Sequence, residues 1–332
     1  MTPKRYFLIT IAAIYGLIAI STAVADSASD SGLFYMNKPR EMQRAFDLDE
    51  NRRFAAIGAK GFVHTENKDS PMYMAAVHWR GSKAFNVDED GNDSGLIYEF
   101  AIIEVKDRDG DFVFIWGENR PGENAKAEIF EGTGKYKNIV GEVDLGWTDA
   151  SRYPDGSITR AYDMDWEVLN HEPERYRPDP QEGDKLTYHQ WIYRYPHELD
   201  ENYTTPGGHR VDHHDEEGFY ISFQDPESPL HELALFGWTT IVFEEDGDWN
   251  SGKILQWAAG EFTDEDGDQI FAFGYHRVPD EWRIWATEGT GKFKGIRAIF
   301  PKFGPTEPWP VGWPGEPEVN GMPFYWHLPG EE

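Results

Sequence analysis

Beyond residue 33 the chain alternates short apolar and aromatic runs with polar turns. Asp-Gly pairs at Asp90-Gly91, Asp109-Gly110, Asp155-Gly156, Asp246-Gly247 and Asp266-Gly267 sit between runs rich in β-branched and aromatic residues, a strong hairpin signal. No long stretch keeps a helical period; residues 38–46 alone suggest one short helix. Period-2 strands and frequent turns predict an all-β protein, an up-and-down barrel or a sandwich. The Pro residues concentrate after residue 170 and after residue 300, where they mark a linker and a tail rather than sheet centres.

The pattern also repeats. EGTGKYKNI at 131–139 returns as EGTGKFKGI at 288–296, an offset of 157 positions. At that offset Asp109-Gly110-Asp111 matches Asp266-Gly267-Asp268, Phe114 matches Phe271, Gly117 matches Gly274 and Arg120 matches Arg277. Glu104 matches Glu261, and Gly61 matches Gly218. Leu48-Asp49-Glu50-Asn51 matches Leu199-Asp200-Glu201-Asn202 at an offset of 151, so the second copy carries extra residues between that segment and Gly218. An ordered series in register predicts a tandem duplication: a first unit over 33–169, a linker over 170–185 and a second unit over 186–329. The Gly-Thr-Gly-Lys run is not a phosphate loop. That loop needs a Gly five positions before Gly134 and Ser or Thr after the Lys, where Ile129 and Tyr136 stand; Ala286 and Phe293 fill those places in the second copy. The repeated glycines are expected to serve a tight turn.

The run Glu-Gly-Thr-Gly-Lys-Tyr/Phe-Lys-x-Ile, preceded by a strand and an Asp-Gly-Asp hairpin, resembles the penultimate turn of allene oxide cyclase-like barrels, and dirigent-type barrels look similar there. The resemblance covers about a quarter of the chain and implies one antiparallel barrel of about eight strands per copy, with an apolar cavity. The cyclase's catalytic residues find no match here, so the resemblance carries the fold and not the reaction.

Composition narrows the partners. The formal net charge is -29, which disfavours nucleic acid and anionic lipid. Lys4 and Arg5, the apolar run from Phe7 to Ile20 and Ser-Thr-Ala-Val-Ala ending at Ala25 have the layout of a secretory signal peptide over 1–25. Its removal takes Lys4 and Arg5 with it and moves the charge from -29 to -31. A periplasmic or secreted chain with no membrane insertion after cleavage is therefore expected. There is no Cys, so the fold rests on its core, for which 13 Trp and 15% aromatic content are ample.

Inside a barrel alternate residues face the cavity. In the first unit Tyr98, Phe100, Ile102 and Glu104 share a face, and so do Phe114, Trp116, Glu118 and Arg120; in the second the partners are Leu255, Trp257, Ala259 and Glu261, and Phe271, Phe273, Tyr275 and Arg277. A three-residue turn would bring these faces together across each hairpin, and a two-residue turn would separate them. Glu104, Arg120, Glu261 and Arg277 are the candidate catalytic residues, because an apolar pocket raises a carboxyl into a useful acid-base range and Arg holds anionic groups. Tyr98, Phe100, Trp116, Glu118, Trp257, Phe273 and Tyr275 are the candidate ligand-binding residues. A structural Glu–Arg pair at the barrel mouth is the alternative. The segment GGHRVDHHDEEG carries His209, His213 and His214, which can bind a metal but lack a defining spacing, and it reads more simply as a mobile solvated loop. Asp88-x-Asp90-x-Asn92, Asp107-x-Asp109-x-Asp111 and Asp264-x-Asp266-x-Asp268 resemble the start of a calcium loop, but Asp93, Phe112 and Gln269 replace its required Gly, and acidic hairpin turns explain them. No metal ligand set and no cofactor is assigned.

An exported binder of a small hydrophobic molecule fits these observations first, a cofactor-free cyclase or isomerase second, and a calcium-stabilised structural or interaction module third. Oligomeric state is not legible. The first unit keeps Tyr98 and Glu118 where the second has Leu255 and Tyr275, so the first is expected to hold the ligand, while the second, with its His-rich segment and its tail from Pro301 to Trp326, packs against it or a partner.

Overall fold

The computed structural model of the chain describes residues 26–37, 40–123, 125–146, 151–154, 157–194, 201–222, 225–247, 252–279, 282–300 and 318–330. Residues 1–25, expected to be a signal peptide, the stretch 301–317, Asp155-Gly156 and Leu199-Asp200 lie outside these residues. No helix among the described residues is long and apolar enough to cross a membrane.

The protein is all-β. The first sheet contains β1 (Asp26–Met36), β2 (Arg40–Asp47), β3 (Arg52–Thr65), β4 (Ala76–Val87), β5 (Asp93–Lys106), β6 (Phe112–Asn119), β7 (Lys126–Gly132), β8 (Ile139–Asp144), β9 (Ser151–Arg152) and β10 (Ile158–Val168). Its order is β1-β10-β8-β7-β6-β5-β4-β3-β2, and β1 pairs with β3 as well as with β10. That second pairing closes an eight-stranded antiparallel barrel, leaving β2 and β9 outside the ring. The second sheet contains β11 (Lys185–Arg194), β12 (Glu201–Thr204), β13 (His209–Ser222), β14 (Leu233–Glu244), β15 (Lys253–Thr263), β16 (Gln269–Arg277), β17 (Arg283–Gly289), β18 (Arg297–Phe300) and β19 (Glu318–His327). Its order is β11-β19-β18-β17-β16-β15-β14-β13-β12, with β11 also pairing β13 from His189 to Arg194.

Two local expectations are corrected. Residues 40–47 form β2 rather than a helix, because Ala45 and Phe46 pair with Ala55 and Phe54 on β3 and the Phe46 and Phe54 rings lie 5.0 Å apart. The His-rich segment is not a loop: His209–Ser222 is β13, paired along β14 from His209 to Tyr220. Its Val211, His213 and Asp215 alternate, and all three are buried.

The hairpin turns fall where the Asp-Gly pairs predict, at Asp90-Gly91, Asp109-Gly110, Asp246-Gly247 and Asp266-Gly267. The repeated EGTGK segment anchors the second of these turns in each sheet. Gly134 has φ +52 and Gly291 φ +50, conformations that side chains rarely adopt, and a Cβ there would collide with Asp111 or Asp268. The Thr133 hydroxyl accepts a hydrogen bond from the Phe112 amide, as Thr290 does from Gln269. Lys135 pairs with Asp107 at 2.6 Å, and Lys292 with Asp264 at 2.7 Å. The motif is a structural clasp between a turn and the strand beside it.

Three apolar clusters divide the molecule. One fills the first barrel: Phe34, Val63, Trp79, Ile103, Val113, Ile115, Ile139 and Tyr162 meet there. One lies within the second sheet, around Tyr220, Phe262, Ile270, Ile284, Phe300 and Trp326. The third joins the two sheets, and it contains Tyr98, Phe100, Phe114 and Trp116 from the first and Trp257, Phe271, Phe273 and Tyr275 from the second. The expectation that these aromatic rows point into barrel cavities is therefore overturned. Neighbouring residues Ala101, Ile103, Val113 and Ile115 take the interior, and the rows face outward into the junction. Both faces of these strands are buried, so alternation alone does not tell inside from outside.

Candidate functional site

The register brings the predicted faces together. Glu104 stands opposite Phe114, Ile102 opposite Trp116 and Phe100 opposite Glu118; in the second sheet Glu261 stands opposite Phe271 and Trp257 opposite Tyr275. At the junction Trp116 stacks on Phe273, its own counterpart at the 157-residue offset, with ring centres 4.2 Å apart. Tyr98 packs on Phe271 at 4.7 Å, and Phe100 meets the edge of Trp238 at 6.1 Å.

Where this aromatic seam reaches solvent it opens into a groove of about 920 Å³. Trp116, Phe130, Phe273, Tyr275 and Trp285 form its apolar walls, and Glu118 and Arg120 stand among them. The polar 170–185 segment crosses it and contributes Glu174, Arg175 and Tyr176. Tyr176 is 69% exposed and meets Trp285 edge-on at 5.7 Å. Burial pushes the Tyr275 phenol up to about 12, against the opposing pull of Arg175 and Arg177, so it stays a neutral hydrogen-bonding group at neutral pH.

Five of the candidates, Trp116, Glu118, Arg120, Phe273 and Tyr275, line this groove. Tyr98, Phe100 and Trp257 are buried beneath it in the shared core. The Tyr98 hydroxyl donates to Thr287 at 3.0 Å, and burial holds that phenol well above its usual range. Arg120 does not pair with Glu104. It binds Glu118 at 2.6 Å and reaches across the junction to Glu288 at 2.7 Å and to the Thr287 carbonyl at 2.8 Å. Arg277 makes the reciprocal contact, to Glu131 at 2.6 Å and to the Gly132 carbonyl. Glu131 and Glu288 are the first residues of the repeated EGTGK motifs, so each motif supplies the carboxylate that receives the other sheet's Arg. Sequence reasoning missed this pairing because a repeat offset shows equivalence and not contact.

Glu104 belongs to a separate, buried cluster. It is 2% exposed and lies 2.8 Å from His213 Nε2 on β13 and 3.6 Å from His78 Nδ1 on β4. The two imidazole rings are 5.0 Å apart, and Arg80 Nε lies 3.3 Å from His78 Nε2. Burial alone would raise the Glu104 carboxyl, but His213, Arg80 and His78 outweigh it and hold it below the usual carboxylate range. Burial and then Arg80 push the His78 imidazole well below its ordinary value, with Glu104 pulling the other way. One ligating atom each from His78, Glu104 and His213 lies within 4.8 Å of the others, so these three can hold a metal ion. His213 came from the segment flagged for its histidines; His78 carried no sequence signal, because its role depends on standing opposite Glu104 across β4 and β5. Glu261 has no such company: its carboxylate accepts a hydrogen bond from Gln269 at 2.8 Å, and burial pushes it well above the usual range.

The calcium-like triplets serve their own turns. Asp107 Oδ1 accepts from the amides of Asp109, Gly110 and Asp111, and Asp264 Oδ1 from those of Asp266 and Asp268. Asp88 Oδ1 accepts from Asp90 and Asn92. Comparison with protein-family models, with curated proteins and with solved structures found no match to this chain.

Proposed function

We propose that the protein binds a small, largely apolar molecule in the groove between its two sheets. The carrying observation is the groove itself, about 920 Å³, which is the size of small-molecule sites. Its aromatic walls stand among charged side chains such as Glu118, Arg120, Glu128 and Arg175, which gives stacking faces beside groups that can orient a ligand. Trp116, Phe273, Tyr275 and Trp285 offer faces for stacking, Glu118 and Arg120 orient polar atoms, and Tyr176 closes one side. On this reading the ligand sits between the sheets, not inside a barrel. The groove favours binding over the cyclase or isomerase reading, because of the four candidate catalytic residues only Arg120 lines it.

Two further parts of the reading accompany it. The second sheet is a copy of the first, supported by the 157-residue register and by the reciprocal Arg120–Glu288 and Arg277–Glu131 contacts. Export to the periplasm or medium rests on residues 1–25 alone. Titration of the mature chain with an environment-sensitive hydrophobic fluorophore tests the binding. Saturable binding near one per chain is expected, weakened about tenfold by Tyr176→Ala with an unchanged unfolding midpoint. Binding that ignores Tyr176→Ala and Arg120→Ala would refute the groove as the site.

A further inference from the structure

We infer that His78, Glu104 and His213 form a binding site for a transition-metal dication of the zinc class, clamping the first sheet to the second. Two imidazoles and one carboxylate are a donor set that such ions prefer over calcium or magnesium, which seek oxygen shells. The donors converge: all three lie within 4.8 Å of one another. An ion with bonds of about 2.0–2.2 Å requires donor separations of roughly 3–3.6 Å. The His78–Glu104 distance of 3.6 Å already satisfies this, and the His213–Glu104 distance of 2.8 Å has only to widen by tenths of an ångström.

The scaffold suits a fixed site. His78 and Glu104 are direct cross-strand partners on β4 and β5, and His213 comes from β13 of the other sheet. His213 is 1% exposed and Glu104 2%, while the 18% exposure of His78 leaves an edge through which an ion can enter. The equivalent place around Glu261 lacks both imidazoles. Phe236 stands opposite Glu261 as His78 stands opposite Glu104, and the 157-residue offset sets Ala56 against His213. Arg80 opposes the ion, since its Nε approaches His78 Nε2 and its positive charge acts on Glu104. When His78 Nδ1 binds a metal, Nε2 carries the ring proton and no longer accepts from Arg80, which must turn aside.

Cobalt(II) titration of the chelator-stripped full chain, followed by visible d–d absorption, tests the site. One equivalent is expected to bind, with displacement by zinc and none by excess calcium or magnesium. His213→Ala and His78→Ala should each weaken binding by at least about 100-fold, since even lost outer-shell partners weaken metal sites 10- to 100-fold. Arg80→Ala should tighten it about tenfold, and His171→Ala, at an exposed position, should leave it unchanged. Should His213→Ala fail to fold, His78→Ala at the half-open edge decides alone. Cobalt binding that survives His78→Ala, that calcium displaces, or that never develops overturns the inference; the first two outcomes place the ion on the acidic surface instead.

Discussion

Glu104 and Glu261 stand 157 positions apart on equivalent strands, β5 and β15, each buried at the junction and each opposite a Phe on the next strand. Their charge states are nevertheless pushed in opposite directions. Around Glu104 the neighbours are His78, Arg80 and His213, and the carboxyl is held ionised. Around Glu261 they are the aromatic ring of Phe236 and the amide of Gln269, and burial favours the neutral acid. The same residue in the same backbone setting thus becomes an anion or a neutral acid according to a few substitutions on adjacent strands. Two sheets can share a core yet differ in chemistry at matching positions of that core.

Glu104→Gln and Glu261→Gln are the sharpest way to break this comparison. In chelator at pH 7, Glu104→Gln should lower stability by about 3 kcal/mol, because buried Arg80 loses its counter-charge and His213 its carboxylate partner. Glu261→Gln should be neutral or stabilising, since an amide replaces an acid that is already driven toward neutrality. Urea unfolding of both variants checks the pair, and equal losses would show that the two environments do not differ as described.

The reciprocal arginines should separate next. Arg277 and its acceptor Glu131 are 12% and 2% exposed, whereas Arg120 and Glu288 are 22% and 27% exposed. Arg277→Ala should therefore cost about 2 kcal/mol and Arg120→Ala about 1 kcal/mol, measured by the same unfolding curves. The ligand should respond in the reverse order, because Arg120 lines the groove and Arg277 does not.

A smaller contrast lies in pH dependence. Glu104 has a folded pKa below its ordinary 4.5, so the stability it contributes is present above that value and fades as the pH falls below it. Glu261 has a folded pKa well above 4.5, so its contribution is complete below 4.5 and is lost as the pH rises toward the folded value. Glu104→Gln should flatten the acid limb of the stability profile, and Glu261→Gln the alkaline limb. Smallest of all, Lys135→Ala and Lys292→Ala should each cost under about 1 kcal/mol, since their side chains are 46% and 42% exposed.

Much of the fold was legible because turn chemistry is local. The Asp-Gly pairs and the EGTGK glycines specify backbone geometry within a few residues, and the hairpins stand where they predict. The direction of the aromatic rows was not legible. Phe100 and Ile103 are equally apolar, and only the presence of a second sheet decides that Ile103 faces the barrel interior and Phe100 the junction. Trp116, Glu118 and Arg120 read as one row and Phe273 and Tyr275 as its counterpart in the second unit, each expected in its own barrel interior; that the two rows share one groove was not legible. His78 and the Arg120–Glu288 contact stayed hidden because they depend on pairing across strands and across the junction.

Photoaffinity labelling with a diazirine-bearing hydrophobic probe, mapped by peptide mass spectrometry, tests most directly whether the ligand lies between the sheets. Labels are expected on the peptides carrying Trp116, Tyr176 and Trp285, suppressed by competing ligand, because these residues wall the groove. Labels concentrated instead on Phe34, Trp79 and Tyr162, which fill the first barrel, would contradict it.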